Sequence, residues 1–151
     1  MTKLPIDILV VDDEKDFVEM FSLRLKEEGH HVRVAFSGEE ALQALKQEEE
    51  NTDVVVLDIK MPGMDGIEAL THIKSLNPIV EVILLTGHGT IDTAVQGLKS
   101  GAFDYLLKPA DFNELLAKLD KARRRKYEQE ERIRLAEAKA LGSRSGGPFV
   151  D

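Results

Sequence analysis

Asp53-Val54-Val55-Val56-Leu57-Asp58-Ile59-Lys60-Met61-Pro62-Gly63 is a short Val-rich run that ends in a carboxylate and then in turn residues. The run reads as a strand, and three others in the chain are built the same way. Ile8-Leu9-Val10-Val11 leads into Asp12-Asp13, Val82-Ile83-Leu84-Leu85 into Thr86-Gly87, and Tyr105-Leu106-Leu107 into Lys108-Pro109. As parallel strands of one sheet, the four runs would have their C-terminal ends side by side. Three carboxylates, a hydroxyl and an ammonium would then meet at the edge where open α/β sheets bind ligands. Carboxylates clustered beside a lysine suit a divalent cation and a phosphoryl group.

Between the strands the pattern turns helical. Phe17, Met20, Phe21, Leu23 and Leu25 recur at helical spacing up to Gly29, and His31 to Ala35 alternates like a further strand. Ser37-Gly38-Glu39-Glu40 has capping-box order ahead of Ala41, Leu42 and Leu45, and the polar segment from Gln47 to Thr52 ends that helix. Ile67, Leu70 and Ile73 begin a third helix, and Asn77-Pro78 punctuates it. Gly87-His88-Gly89-Thr90 reads as a flexible loop before a short helix, Ile91 to Ser100, closed by Gly101. The last strand is expected from Ala102 to Leu107, and Asp111-Phe112-Asn113-Glu114 opens a fifth helix. Five strands in strict alternation with five helices imply βαβ crossovers, a parallel sheet and helices on both faces.

The 151 residues suffice for one domain with a core of its own. No cysteine is present, which excludes disulfides and thiolate metal sites. No stretch approaches the roughly 20 apolar residues of a membrane span, and the N-terminal sequence lacks a secretory apolar region. A soluble, cytoplasmic protein is expected. The formal charge of −8 is unevenly placed, with −10 over residues 1–110 and +2 over residues 111–151. The acidic globular part disfavours direct nucleic-acid binding and suits a cation and a basic protein partner. Arg123-Arg124-Arg125-Lys126 is expected to be a solvated helix face, and the four histidines show no metal-ligand spacing.

The fifth helix has no Gly or Pro from Asp120 to Leu141, and opposite charges fall at i,i+4, as in Arg124/Glu128. Its apolar seam runs Leu115, Leu119, Ala122, is interrupted by Lys126 and Gln129, and resumes at Ile133, Ala136 and Ala140. The interruption argues against a strong coiled coil. The organisation expected is a globular domain over residues 1–121, a helical extension over 122–141 and a flexible tail over 142–151.

Asp12-Asp13, Asp58 followed by Ile-Lys-Met-Pro-Gly-Met-Asp-Gly, Thr86 and Lys108-Pro109 together resemble the receiver domain of two-component response regulators. The resemblance covers roughly Pro5 to Lys121, with the motifs in the family's order. It implies a flavodoxin-like α/β fold with a doubly wound five-stranded parallel sheet in the order 2-1-3-4-5, followed here by an extended C-terminal helix. It also implies that Asp58 takes a phosphoryl group from a sensor histidine kinase or phosphotransfer protein. Mg²⁺ would be held by Asp12, Asp13, Asp58 and the backbone carbonyl of Lys60. Lys108 would neutralise the phosphoryl oxygens, while Thr86 and Tyr105 would switch a surface that binds a downstream protein target. Side chains at Lys60 and His88 would flank the hydrolytic water, and Ala110 stands where many relatives carry Phe. No turnover of an independent substrate is implied.

Receivers of the nitrogen-regulator type, which continue into a sigma-54-activating ATPase, share the Gly-His-Gly-Thr loop and the long last helix. That helix would then pair two copies in a homodimer. A phosphorylation-independent interaction module is the other alternative. An aspartyl-nucleophile phosphatase on a similar sheet would need an acid two residues after Asp58, where Lys60 stands.

Overall fold

The computed structural model describes residues 4–47, 52–87 and 90–146. The strands are β1 (Asp7–Val11), β2 (His31–Ala35), β3 (Val54–Leu57), β4 (Glu81–Thr86) and β5 (Asp104–Leu107). Helices α1 (Lys15–Glu27), α2 (Gly38–Gln47), α3 (Gly66–Leu76), α4 (Ile91–Lys99) and α5 (Phe112–Gly146) alternate with them. All pairings are parallel and the order is β2-β1-β3-β4-β5. Every residue of the central strands β3 and β4 is buried, as expected of strands covered by helices on both sides.

Two helices lie on one face and three on the other. Val18, Phe21 and Leu25 of α1 pack with Leu115, Leu119 and Ala122 of α5 against Ile8, Val10, Val56, Ile83 and Leu85. On the opposite face, Ala41 and Leu45 of α2 and Ala69, Leu70 and Ile73 of α3 meet Leu9, Val55, Leu57, Val82 and Leu84. Burying a side chain such as Leu115 or Leu119 contributes about 1.5–3 kcal/mol relative to leaving it in water. The fourth helix is seated differently. Gly97 is its only buried residue, and a Cβ there would stand 2.3 Å from Cδ1 of Leu84. The glycine lets the helix lie on the sheet while Ile91, Val95 and Leu98 stay exposed.

Helix starts follow the expected chemistry. The Ser37 hydroxyl accepts from Glu40 N–H at 3.1 Å, and the Glu40 carboxylate reaches back to Phe36 N–H rather than to the cap residue itself. Asp111 accepts from the N–H groups of Asn113 and Glu114 at 2.8 and 3.2 Å. Thr90 and Thr93 form a reciprocal box at the start of α4. Gly29 and Gly101 take positive φ, 94° and 109°, just past the caps of α1 and α4, a conformation only glycine adopts without strain.

The observed elements depart from expectation in three places. The last strand begins at Asp104 rather than Ala102. The fifth helix continues through Gly142 to Gly146, because a glycine in an exposed helix costs only about 1 kcal/mol. It spans 35 residues, about 50 Å. The basic run is only partly a solvated face: Arg124 and Arg125 are exposed, but Arg123 donates to the carbonyls of Leu4 and Pro5, Arg125 pairs with Glu81, and Lys126 is buried. Residues 48–51, His88 and Gly89 of the expected loops, and residues 147–151 of the expected tail, lie outside the described residues.

Candidate functional site at the strand ends

The parallel register sets the ends of β1, β3, β4 and β5 in one row. Asp12 follows Val11 and donates its N–H to the carbonyl of Ala35, while Asp58 follows Leu57 and donates to Val11. The two carboxylates therefore sit on adjacent strands by backbone pairing alone. Asp13 is the next residue along, exposed at the mouth. One oxygen from each of Asp12, Asp13 and Asp58 lies within 4.8 Å of the others. Lys108 N–H donates to the carbonyl of Thr86 at 2.9 Å, which fixes the lysine beside the end of β4, and the Lys108-Pro109 peptide is cis.

The ammonium of Lys108 lies 2.5 Å from Asp12 Oδ2 and 3.6 Å from Glu14 Oε1, and 4.0 Å from the centre of the Phe17 ring. Burial alone would lower its pKa. The hydrogen bond to Asp12 and the charges of Asp12, Asp58 and Glu14 outweigh that and hold it above the ordinary lysine value. Burial raises the pKa of Asp12, and the nearby Asp58 charge adds to it, against the lowering effects of Lys108 and of Glu14 N–H. Asp58 is the more exceptional carboxylate. It is 3% exposed, and its Oδ1 has no hydrogen-bond partner among the described residues. A buried carboxylate oxygen left in that condition is costly unless something else neutralises it.

That orphaned oxygen provides a test of whether the site suits a metal. Three carboxylates offering oxygen alone, one of them shielded and unsatisfied, match a hard divalent cation that keeps several waters. The residues fit Mg²⁺.

The loop after β3 is held by its own contacts. Gly66 N–H donates to the carbonyl of Ile59 at 2.6 Å, and a Cβ on Gly66 would stand 2.2 Å from the carbonyl oxygen of Asp58. Only glycine allows α3 to start this close to the backbone of Asp58. Asp65 caps that helix by accepting from Glu68 N–H at 2.9 Å, and Met64 N–H donates to Glu39 on α2. The segment carrying Lys60 is thus fixed at both ends, with the Lys60 side chain exposed.

Thr86 is fully buried at the end of β4. Tyr105 pairs with Leu84 in register, so strand alternation puts Tyr105 and Thr86 on the same face, the one carrying α4. The Tyr105 ring packs against that core, and its hydroxyl is shielded without a hydrogen-bond partner among the described residues. The strand ends bring Asp12, Asp13, Asp58 and Lys108 together, with Thr86 beside Lys108 and Tyr105 one pleat below. Reading the sequence missed Glu14 and Phe17, which line the ammonium of Lys108. The clue to Phe17 was its place in the first turns of the helix that leaves Asp12-Asp13.

The chain matches the response regulator receiver domain family over residues 8–120. It is 44% identical over 122 residues to the transcriptional regulatory protein ZraR of Escherichia coli K12, covering 81% of this chain and 27% of that protein. A putative response regulator NtrX-like of Rickettsia bellii is 42% identical over 119 residues, 78% of this chain and 24% of the relative. The chain therefore spans about a quarter of the length of these curated relatives. Among solved structures, a response regulator receiver domain protein from Clostridium thermocellum superposes with a TM-score of 0.77 at 38% identity, covering 81% of this chain and 97% of that one. NtrX from Brucella abortus gives 0.79 at 35% identity over 87% of this chain and 30% of its own. With this sheet order and the matched family spanning every strand, the chain belongs to the response regulator receiver domain family.

Proposed function

We propose that the domain is a phosphorylation switch in which Asp58 accepts a phosphoryl group from the phosphohistidine of a sensor kinase or phosphotransfer protein. The observation that carries this is the shielded, unpartnered Asp58 Oδ1 in a carboxylate cluster with Lys108 at its side. A carboxylate oxygen of Asp58 attacks phosphorus. The O–P bond forms as the P–N bond breaks, and its electron pair returns to the imidazole. Asp12, Asp13, Asp58 and the Lys60 carbonyl would hold Mg²⁺, which would supply the positive charge that lets one anion approach another. Lys108, held by Asp12 and Glu14, offsets charge on the transferring group from the other side. The domain modifies itself and turns over no separate substrate; the Lys60 side chain flanks the path of the hydrolytic water.

The phosphoryl group gives the Thr86 hydroxyl a new acceptor on the face it shares with Tyr105 and the lightly seated α4. The exposed row Ile91, Val95 and Leu98, with Leu107 on β5, is the surface a downstream protein target would read. On the donor side, Met20 and Leu23 of α1 are exposed. An apolar pocket of about 160 Å³ opens between Phe17, Phe21, Ala110 and Phe112, next to Lys108. That surface suits a kinase partner in the cytoplasm.

A second reading is favoured by the relatives. ZraR is a transcriptional regulatory protein, and this chain matches about a quarter of it, so the domain is then the receiver of a longer sigma-54-dependent activator. In that setting residues 122–141 form the connecting helix, and its seam beyond Gln129 pairs two copies.

Intact mass after incubation with acetyl phosphate and Mg²⁺ tests the acceptor. One phosphoryl adduct is expected, lost in Asp58→Ala and with chelator. An adduct that persists in Asp58→Ala refutes the assignment.

A further inference from the structure

The N-terminal edge of the sheet, opposite the acceptor site, carries a second set of buried charges that phosphoryl chemistry does not use. Asp53 immediately precedes β3 and Glu81 begins β4; Glu81 N–H donates to the Asp53 carbonyl at 3.2 Å, so the two acids are neighbours. Both are buried. Asp53 Oδ2 accepts from Asp7 N–H at 2.9 Å, and Oδ1 accepts from the Lys126 ammonium at 3.0 Å. Lys126, 2% exposed, also lies 3.0 Å from Glu130 one turn further on. Glu81 stands 3.4 Å from Lys74 on α3 and 3.1 Å from Arg125. Arg123 completes the set by donating to the carbonyls of Leu4 and Pro5 ahead of β1. Three basic residues of one helix thus grip the starts of β1, β3 and β4.

We infer that this clamp makes the α5 extension a rigid arm, held in one direction relative to the sheet whether or not the acceptor site is occupied. Leu115, Leu119, Ala122 and Lys126 are buried at alternating spacings of four, three and four residues, a single seam that ends in a charge instead of an apolar side chain. An apolar residue at that point would tolerate a small slide or rotation of the helix. A buried ammonium does not, because a shift by one residue parts it from Asp53, leaving it only Glu130 and leaving the buried Asp53 carboxylate only the Asp7 N–H. Beyond the clamp the helix is uninterrupted by Gly or Pro as far as Leu141, with the Arg134–Glu131 pair on its surface. The fourth helix has no comparable anchor, with Gly97 alone buried. A change at the acceptor site therefore leaves the domain through α4 and β5, while the arm stays still. The statement about occupancy rests on the receiver reading; the clamp does not.

The chain contains no cysteine, so Gln43→Cys on α2 and Leu135→Cys on the arm, both at exposed positions, give two unique spin-label sites. Labelled protein is diluted into unlabelled protein so that only intramolecular distances are read by pulsed dipolar spectroscopy. Measurements are made with Mg²⁺ alone and with Mg²⁺ and beryllofluoride, whose occupancy is read by fluorine NMR. The expected result is one narrow distribution whose maximum does not move on occupancy. Lys126→Met broadens it, and the milder Arg125→Gln, at an exposed side chain, broadens it less. A maximum that shifts with bound beryllofluoride overturns the fixed direction. A distribution that stays narrow in folded Lys126→Met overturns the clamp. If beryllofluoride fails to bind, the receiver chemistry is at fault, and the two variants still decide the clamp.

Discussion

The sheet carries an Asp–Lys pair at each of its two edges, half-buried at Lys108 and fully buried at Lys126, and the pairs have opposite characters. At the C-terminal edge Asp12 holds Lys108, and beside them stand the unpartnered Oδ1 of Asp58 and the exposed Asp13. At the N-terminal edge Asp53 holds Lys126, and nothing in that pair is left over. One Asp53 oxygen takes a backbone N–H, the other takes the ammonium, and the ammonium has Glu130 as a second partner. Residue type alone does not separate the two pairs here. What separates them is the buried carboxylate beside each pair: Oδ1 of Asp58 has no hydrogen-bond partner among the described residues, whereas Oε2 of Glu81, which also lacks a hydrogen bond, is ion-paired with Arg125 at 3.1 Å. A buried carboxylate with no cation at that oxygen invites a metal ion, and one held by Arg125 helps to fix a helix.

Substitutions can break this contrast, and the largest effect is expected at the C-terminal edge. Asp58→Asn removes the proposed nucleophile, and the phosphoryl adduct expected by intact mass should be absent. Lys108→Met should slow adduct formation from acetyl phosphate by about 10²–10³-fold, the usual loss for a preorganised charge in a reaction site. At the N-terminal edge, Lys126→Met should lower stability by about 3 kcal/mol in urea unfolding, because Asp53 is left buried without its cation. Pairing it with Asp53→Asn should restore part of that loss, since the orphaned charge is gone while Asp7 N–H keeps an acceptor.

A third region sharpens the comparison. Gly97→Ala should cost about 1–3 kcal/mol, because the new methyl meets the Leu84 side chain and lifts α4. The smallest effect is a dependence on pH. Burial alone would lower the pKa of Lys126, but the hydrogen bonds and charges of Asp53 and Glu130 hold it above the ordinary lysine value. Its contribution is therefore fully present below the unfolded lysine pKa and fades as pH rises through the elevated one. The stability gap between the wild-type protein and Lys126→Met should stay constant through neutral pH and close only under strongly alkaline conditions.

The grouping of side chains at the C-terminal edge was legible in the sequence because each of them ends an apolar run, and parallel pairing alone brings such ends together. Asp12, Asp58, Thr86 and Lys108 needed no side-chain geometry to be placed in one row. The opposite edge was not legible. Lys126 looks like a break in the seam of α5, and Arg123 to Lys126 looks like a charged surface. The burial of Lys126 and the contacts of Arg123 and Arg125 depend on where a helix of 35 residues crosses the sheet, which no local pattern encodes. Glu14 and Phe17 were missed for a related reason, since their contact with Lys108 joins residues 94 and 91 positions apart. The far end of α5 was misjudged because one glycine looks like a stop, whereas its cost is small beside that of ending a long helix early.

Lys108→Met and Lys126→Met measured side by side test the contrast between the two pairs. Both variants would be assayed for the initial rate of phosphoryl adduct formation with acetyl phosphate and Mg²⁺, and for the midpoint of urea unfolding in the same buffer. A crossed result is predicted. Lys108→Met should lose rate by two orders of magnitude or more with the smaller midpoint shift, and Lys126→Met should keep its rate while its midpoint falls furthest. If Lys126→Met slows phosphorylation as severely as Lys108→Met, the two edges are not separate in function and the distinction drawn between them is wrong.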